Sequence, residues 1–140
     1  MKLRTTLLLA TLGAIANASG VAQAHHSFAA EFDSSKVVHL EGTVTKYMWV
    51  NPHSWIHIAV PKPDGSTEEW RIEGGAPSLL LRRGWTRDSL PVGTKIVVNA
   101  FQARDGDRRA SPRDISFPDG RKIDFGGSYQ PDDKKSAAPK

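Results

Sequence analysis

Gly74-Gly75-Ala76-Pro77-Ser78-Leu79-Leu80-Leu81-Arg82-Arg83-Gly84 is the stretch on which the fold turns. A glycine pair ends whatever regular structure precedes it. Pro77 then suits the first turn of a helix, where its missing N–H is not needed. Leu79, Leu80 and Leu81 supply the apolar residues of one short helix, and Gly84 is its expected C-terminal cap. The rest of the ordered sequence carries β signals, so the place of this single helix among the strands selects the topology.

Upstream, Val37 to Val50 is rich in β-branched and aromatic residues, with Leu40, Val44 and Met48 in one alternation phase. It predicts a long first strand, with a bulge or sharp coil at Gly42. After Asn51-Pro52, Ile56, Ile58 and Val60 share one face, and His53, Trp55, His57 and Ala59 share the other. Pro63-Asp64-Gly65 is a turn. Glu68 to Glu73 predicts a third strand, antiparallel to the second, with Trp70 and Ile72 inward. Downstream of the helix, Thr94 to Phe101 predicts a fourth strand and Arg113 to Phe117 a fifth. The polar stretch Arg104 to Pro112 between them predicts an exposed loop. Pro118-Asp119-Gly120 then turns into a short arm, Lys122 to Phe125. Three strands, a helix and two strands is the order of a mainly β, five-stranded OB-like Greek-key barrel. An immunoglobulin-type sandwich needs about seven strands.

The chain ends read differently. Lys2 and Arg4 precede an apolar run from Leu7 to Ile15, followed by small residues up to Ala22-Gln23-Ala24. That order is a secretory signal peptide over residues 1–24, too short in its apolar part to be a membrane span. Two A-x-A sites compete, Ala16-Asn17-Ala18 and Ala22-Gln23-Ala24. The second leaves the more ordinary spacer and places cleavage before His25. Residues 25–125 are then the barrel domain, and residues 126–140, dominated by Gly, Ser, Pro, Asp and Lys, a disordered polar tail. Export implies the periplasm, and the mature form has no membrane span.

With no cysteine among 140 residues, disulfides, thiolate metal sites and cysteine catalysis are excluded. The formal net charge of +4 falls by two once Lys2 and Arg4 leave with the signal. Arg82-Arg83, Arg87 and Arg104 to Arg113 are interleaved with Asp88, Asp105, Asp107 and Asp114, which reads as a solvated mixed-charge surface rather than a nucleic-acid footprint. Gly74-Gly75 before a helix offers an anion cradle as the alternative to a simple turn. No nucleophile-plus-base arrangement is recognisable, so no catalytic residue is assigned.

All five histidines lie between His25 and His57. Cleavage before His25 gives that residue an α-amine beside its imidazole, a chelating pair suited to Cu(II), with His26 as an alternative ligand. His53 and His57 lie ~13 Å apart along an ideal strand, too far to chelate one ion together. The expected metal set is therefore His25, His26 and one of His53 or His57, with copper as the possible cofactor. His39, beside Glu41, reads as a surface residue. Trp49 and Trp55 point outward in this reading: either the N-terminal segment and the C-terminal arm cover them, or they offer a surface to a small ligand, a glycan or a periplasmic protein.

Three segments carry a resemblance: His25-His26-Ser27-Phe28-Ala29-Ala30-Glu31-Phe32-Asp33, Trp49-Val50-Asn51-Pro52-His53-Ser54-Trp55, and Leu80-Leu81-Arg82-Arg83-Gly84-Trp85-Thr86-Arg87-Asp88-Ser89-Leu90. Together they resemble the DUF6152 family of small exported bacterial proteins of unknown function. The resemblance implies a periplasmic protein cleaved just before the double histidine. It carries no activity and no catalytic residue. The sequence thus leads to a small exported binding or accessory protein that takes copper through His25 and His26. The alternative is a metal-free module using its tryptophans.

Overall fold

The computed structural model describes residues 28–129. The predicted signal peptide, His25, His26 and residues 130–140 lie outside them. A helical turn over residues 28–31 leads into strand β1, Phe32–Met48. Then come β2 (Trp55–Pro61), β3 (Thr67–Glu73), helix α1 (Pro77–Arg82), β4 (Lys95–Ala103), β5 (Arg109–Ser116) and β6 (Lys122–Ile123). The protein is mainly β, and the helix falls between β3 and β4 as expected. There are six strands rather than five, because the expected arm pairs with β5 through Ile115↔Ile123 and Ser116↔Lys122.

Sheet order is β3-β2-β1-β4-β5-β6, antiparallel throughout, with one additional parallel pairing of β3 to β5. That pairing, Arg71↔Arg109 and Ile72↔Ala110, brings the order back to its start, so five strands pair in a ring. The 17-residue β1 serves two neighbours. From Phe32 to Thr43 it pairs with β4, and from Thr43 to Met48 with β2. The strand passes between them at Gly42, where a Cβ would stand 3.0 Å from the Ala59 carbonyl oxygen and 3.1 Å from Ile58 Cβ.

The bulge lies elsewhere than Gly42. Register on β2 shifts between Val44 and Lys46, and one extra residue reverses every later side chain. Tyr47, not Met48, therefore joins Leu40 and Val44 on the inner face. Trp49 follows it and packs against the core, correcting its expected outward position. The interior is built from Val44, Ile56, Ile58, Ile72, Leu80, Ile96 and Val98, each at most 1% exposed. Burial on this scale contributes roughly 1.5–3 kcal/mol per side chain. Trp70 and Ile72 point inward as expected.

β5 begins at Arg109, four residues before the expected strand. Ala110, Ser111 and Pro112 are buried rather than looped out. The pairing with β3 holds this segment, and Pro112 sits where the β4–β5 register shifts, a site that tolerates its missing N–H. Ion pairs cover the entry: Arg109 contacts Asp105 at 2.8 Å and Asp107 at 3.2 Å, and Arg71 contacts Asp107 at 2.6 Å.

A second, smaller cluster lies apart from the main core: Phe28, Phe32, Phe101 and Ala103, with Tyr129 against them. Tyr129 stands 5.5 Å from Phe28 and 4.7 Å from Phe101, centroid to centroid. Residues 126–129 are thus packed structure, not the start of the polar tail. The domain extends at least to Tyr129.

Candidate functional site

The β2–β3 ladder continues beyond its last paired residues. Ser54 N–H donates to the Gly75 carbonyl at 3.0 Å, and Gly74 N–H donates to the Ser54 carbonyl at 2.7 Å. His53, one residue earlier, is thereby held beside Glu73 and Gly74. Its Nδ1 lies 3.1 Å from Glu73 Oε1 and 3.2 Å from the Gly74 carbonyl oxygen. The Gly74 carbonyl can only accept, so Nδ1 carries the proton and donates it there, with the Glu73 carboxylate within ion-pair distance. In the neutral ring Nε2 then keeps its lone pair. The His53 side chain is 35% exposed, whereas Glu73 is only 3% exposed.

A buried carboxylate is costly unless donors surround it. Glu73 Oε2 accepts from Ser128 N–H at 3.2 Å and from Ser128 Oγ at 2.6 Å. Ser128 Oγ lies 3.2 Å from Ser111 Oγ, which accepts from Tyr129 N–H at 3.3 Å. The strap of residues 126–129 thus closes over the carboxylate and supplies its remaining partners. Sequence reading missed Glu73, Ser111 and Ser128. Glu73 looked like an ordinary strand end, and Ser128 lies 55 residues away in a stretch with the composition of a tail.

His57 is separate. Its Nδ1 lies 2.7 Å from Glu69 Oε1, and that glutamate is 60% exposed. The two strand histidines are not brought to one centre, as the spacing predicted. His39 forms a third arrangement across β1 and β4. Its Nδ1–H donates to Asn99 Oδ1 at 2.8 Å, and Asn99 Nδ2 donates to Asp114 Oδ1 at 2.7 Å. The bonds to Asn99 and Glu41 hold the His39 pKa above its ordinary value, against a smaller opposing effect of burial. Among the described residues no group of three or more His, Asp or Glu side chains is close enough to hold a metal ion.

Of the two tryptophans, Trp55 stays half-exposed on the face of β2 that carries His57, opposite Glu73 on β3. Trp49 packs edge-on to Tyr47, 5.7 Å between centroids. The Gly74-Gly75 pair is not an anion cradle. Gly74 N–H is bonded to Ser54 and Gly75 N–H to the Phe125 carbonyl at 2.9 Å. Gly74 is required because the Phe125 ring lies on it: a Cβ there would fall 2.2 Å from that ring.

The model for a family of unknown function, DUF6152, matches residues 14–111. The chain belongs to that family. No curated protein matches this DUF6152 chain. Among solved structures it is similar to a mitochondrial single-stranded DNA-binding protein of S. cerevisiae, Rim1, with 17% identity over 62% of this chain and 94% of that one, TM-score 0.45. It is also similar to the N-terminal domain of PriB from Thermoanaerobacter tencongensis, with 18% identity over 60% of this chain and 97% of that one, TM-score 0.36.

Proposed function

We propose that this DUF6152 protein is an exported, periplasmic accessory module of OB-barrel type that binds copper through His53 Nε2 together with His25 and His26 of the mature N-terminus. The observation that carries the reading is the buried Glu73 carboxylate behind His53. Metal-ligating histidines usually donate their other ring N–H to a carboxylate or carbonyl, which fixes the tautomer and raises ligand basicity. Here Nδ1 donates to the Gly74 carbonyl with the Glu73 carboxylate at 3.1 Å, which leaves Nε2 of a partly exposed side chain as the free ring nitrogen. Phe28, two residues after His26, is 2% exposed. It packs on Tyr129, the neighbour of the serine that holds Glu73. An α-amine with imidazoles favours Cu(II) among the divalent ions. Nucleic acid is a poor partner for a domain of nearly balanced charge.

Cu(II) titration of protein processed before His25 tests the reading, with electron paramagnetic resonance reporting the nitrogen count. His53→Ala and a version with one residue added before His25 should each weaken binding at least about tenfold, a loss of about 1.4 kcal/mol. His57→Ala should leave it unchanged. Equal binding by all four proteins sinks the proposal.

The second reading is a metal-free module that engages a periplasmic protein, a glycan or a small aromatic ligand. It rests on Trp55, whose half-exposed ring has the apolar body and polar edge of a contact residue. A periplasmic pull-down that gives the same partners with Trp55→Ala as with wild type counts against it.

A further inference from the structure

The end of the strand ring capped by Phe125 combines two features that conflict. Its occupant is wholly apolar: the Phe125 ring is 1% exposed, lies on Gly74, and has Trp85 at 5.4 Å and Tyr47 at 5.9 Å. Its surroundings include two buried hydroxyls, Tyr47 OH and Ser54 Oγ, neither with a hydrogen-bond partner among the described residues. They belong to one face. Tyr47 pairs across strands with Ile56, and Ser54 precedes Ile56 by two, which puts it in the same inward phase. Ser54 also bonds through its backbone to Gly75 and to Gly74, the residue beneath the Phe125 ring. More than nine in ten buried polar groups are satisfied in native proteins, and an exception asks for an explanation.

The arm that delivers Phe125 is short, and Phe125 itself is tied to the ring by the Gly75 N–H bond to its carbonyl. β6 is two residues long. Its flanking ion pair, Arg83 to Asp124, is at the surface, with Asp124 72% exposed. A cavity of about 240 Å³ bordered by Leu79, Pro112 and Phe125 adjoins it. Another of about 240 Å³, bordered by Trp85, Leu90 and Ile123, adjoins β6 as well. With its carbonyl held by Gly75 N–H, Phe125 leaves its seat by turning its side chain into the first of these spaces, which it borders.

We infer that this end of the ring is a binding site for a small phenol, held closed by Phe125 as an internal stand-in for the ligand's ring. The aromatic walls and the flat Gly74 backbone take the ring. Tyr47 and Ser54 take the hydroxyl that phenylalanine lacks. The inference is independent of the histidine reading, since His25, His26 and His53 play no part in it.

Phenol and toluene distinguish the idea from simple greasiness, because a site built around hydrogen bonds discriminates against the analogue that cannot make them. Each is titrated into the full mature protein while the amide resonances of Gly74, Gly75 and Phe125 are followed by nuclear magnetic resonance. Phenol should shift all three, with a Kd at least about tenfold below that of toluene. The double variant Tyr47→Phe, Ser54→Ala should keep toluene binding and lose the preference. Phe125→Leu, which shortens the plug and keeps an apolar filler, should raise phenol affinity. Equal shifts by both compounds, no shift by either, a preference that survives the double variant, or a crystal structure with one ordered water bonded to both hydroxyls and no phenol response would each overturn the proposal.

Discussion

Two histidine–glutamate pairs reach across to β3, one from within β2 and one from just before it, and they differ in what surrounds the glutamate. His57 and Glu69 meet at 2.7 Å, His53 and Glu73 at 3.1 Å. By distance alone the first is the better pair. Yet Glu69 is 60% exposed and Glu73 3%. Water screens the first pair, so it contributes little whatever its geometry. In the second, burial makes each remaining partner of the carboxylate necessary, and a removed partner is not replaced by water. The comparison teaches that the strap of residues 126–129, rather than the strand residues, turns one of two similar contacts into a site.

The largest expected effect comes from breaking the buried pair at its acid. Glu73→Ala strands Ser128 N–H and Ser128 Oγ–H and takes away the charge beside His53, whose Nδ1–H keeps the Gly74 carbonyl, and should lower stability by about 2–4 kcal/mol in urea melts. The figure sits below the usual range for a buried pair because the His53 ring is partly in water. A loss below about 1 kcal/mol would show that the strap does not seal the carboxylate. Ser128→Ala removes the 2.6 Å bond to Glu73 and should cost about 1–2 kcal/mol. In the same variant the ¹⁵N shifts of His53 should move toward a mixed tautomer, which simple loss of packing does not produce. Glu69→Ala, the matched change in the exposed pair, should cost under about 1 kcal/mol. If it equals Glu73→Ala, the contrast drawn from burial fails.

The smallest effect sharpens the comparison with pH. His39 is bonded through both ring nitrogens but is 58% exposed. Its folded pKa is raised above the ordinary 6.5, chiefly by Asn99 and Glu41. Its stabilisation is therefore complete below the unfolded pKa and is lost as pH rises through the folded value. Thermal melts between about pH 6 and pH 8 should show a slight fall in Tm. His39→Gln should flatten that fall, and an unchanged slope would mean that the bonds to Asn99 and Glu41 do not persist in solution.

Much of the fold was legible because its signals are local. The alternation of Ile56, Ile58 and Val60, the Pro63-Asp64-Gly65 turn, and the α1 boundaries at Pro77 and Gly84 each depend on a few neighbouring residues. Gly84 adopts φ +83, the left-handed conformation expected of a helix cap. What stayed hidden depends on distant partners. The bulge after Val44 is visible only against β2, and it reassigns Tyr47, Met48 and Trp49. The early start of β5 requires β3 beside it, since Arg109-Ala110-Ser111-Pro112 has no strand pattern of its own. The site was half legible: His53 stood out by residue type, but its distinction from His57 rests on a serine 75 positions later.

The closing pair of the ring also constrains how the chain acquires its structure. Val38 meets Ala100 and Arg71 meets Arg109, so no hairpin-sized fragment contains both sides of either contact. Contacts of such long range slow folding toward the millisecond-to-second regime of β proteins. While a nascent chain lacks residues beyond Ala103, the outer edges of β3 and β4 have no partner, and open edges invite pairing between molecules. A chain that stops before Arg109 is therefore not a smaller version of the domain but a three- or four-stranded open sheet prone to aggregation.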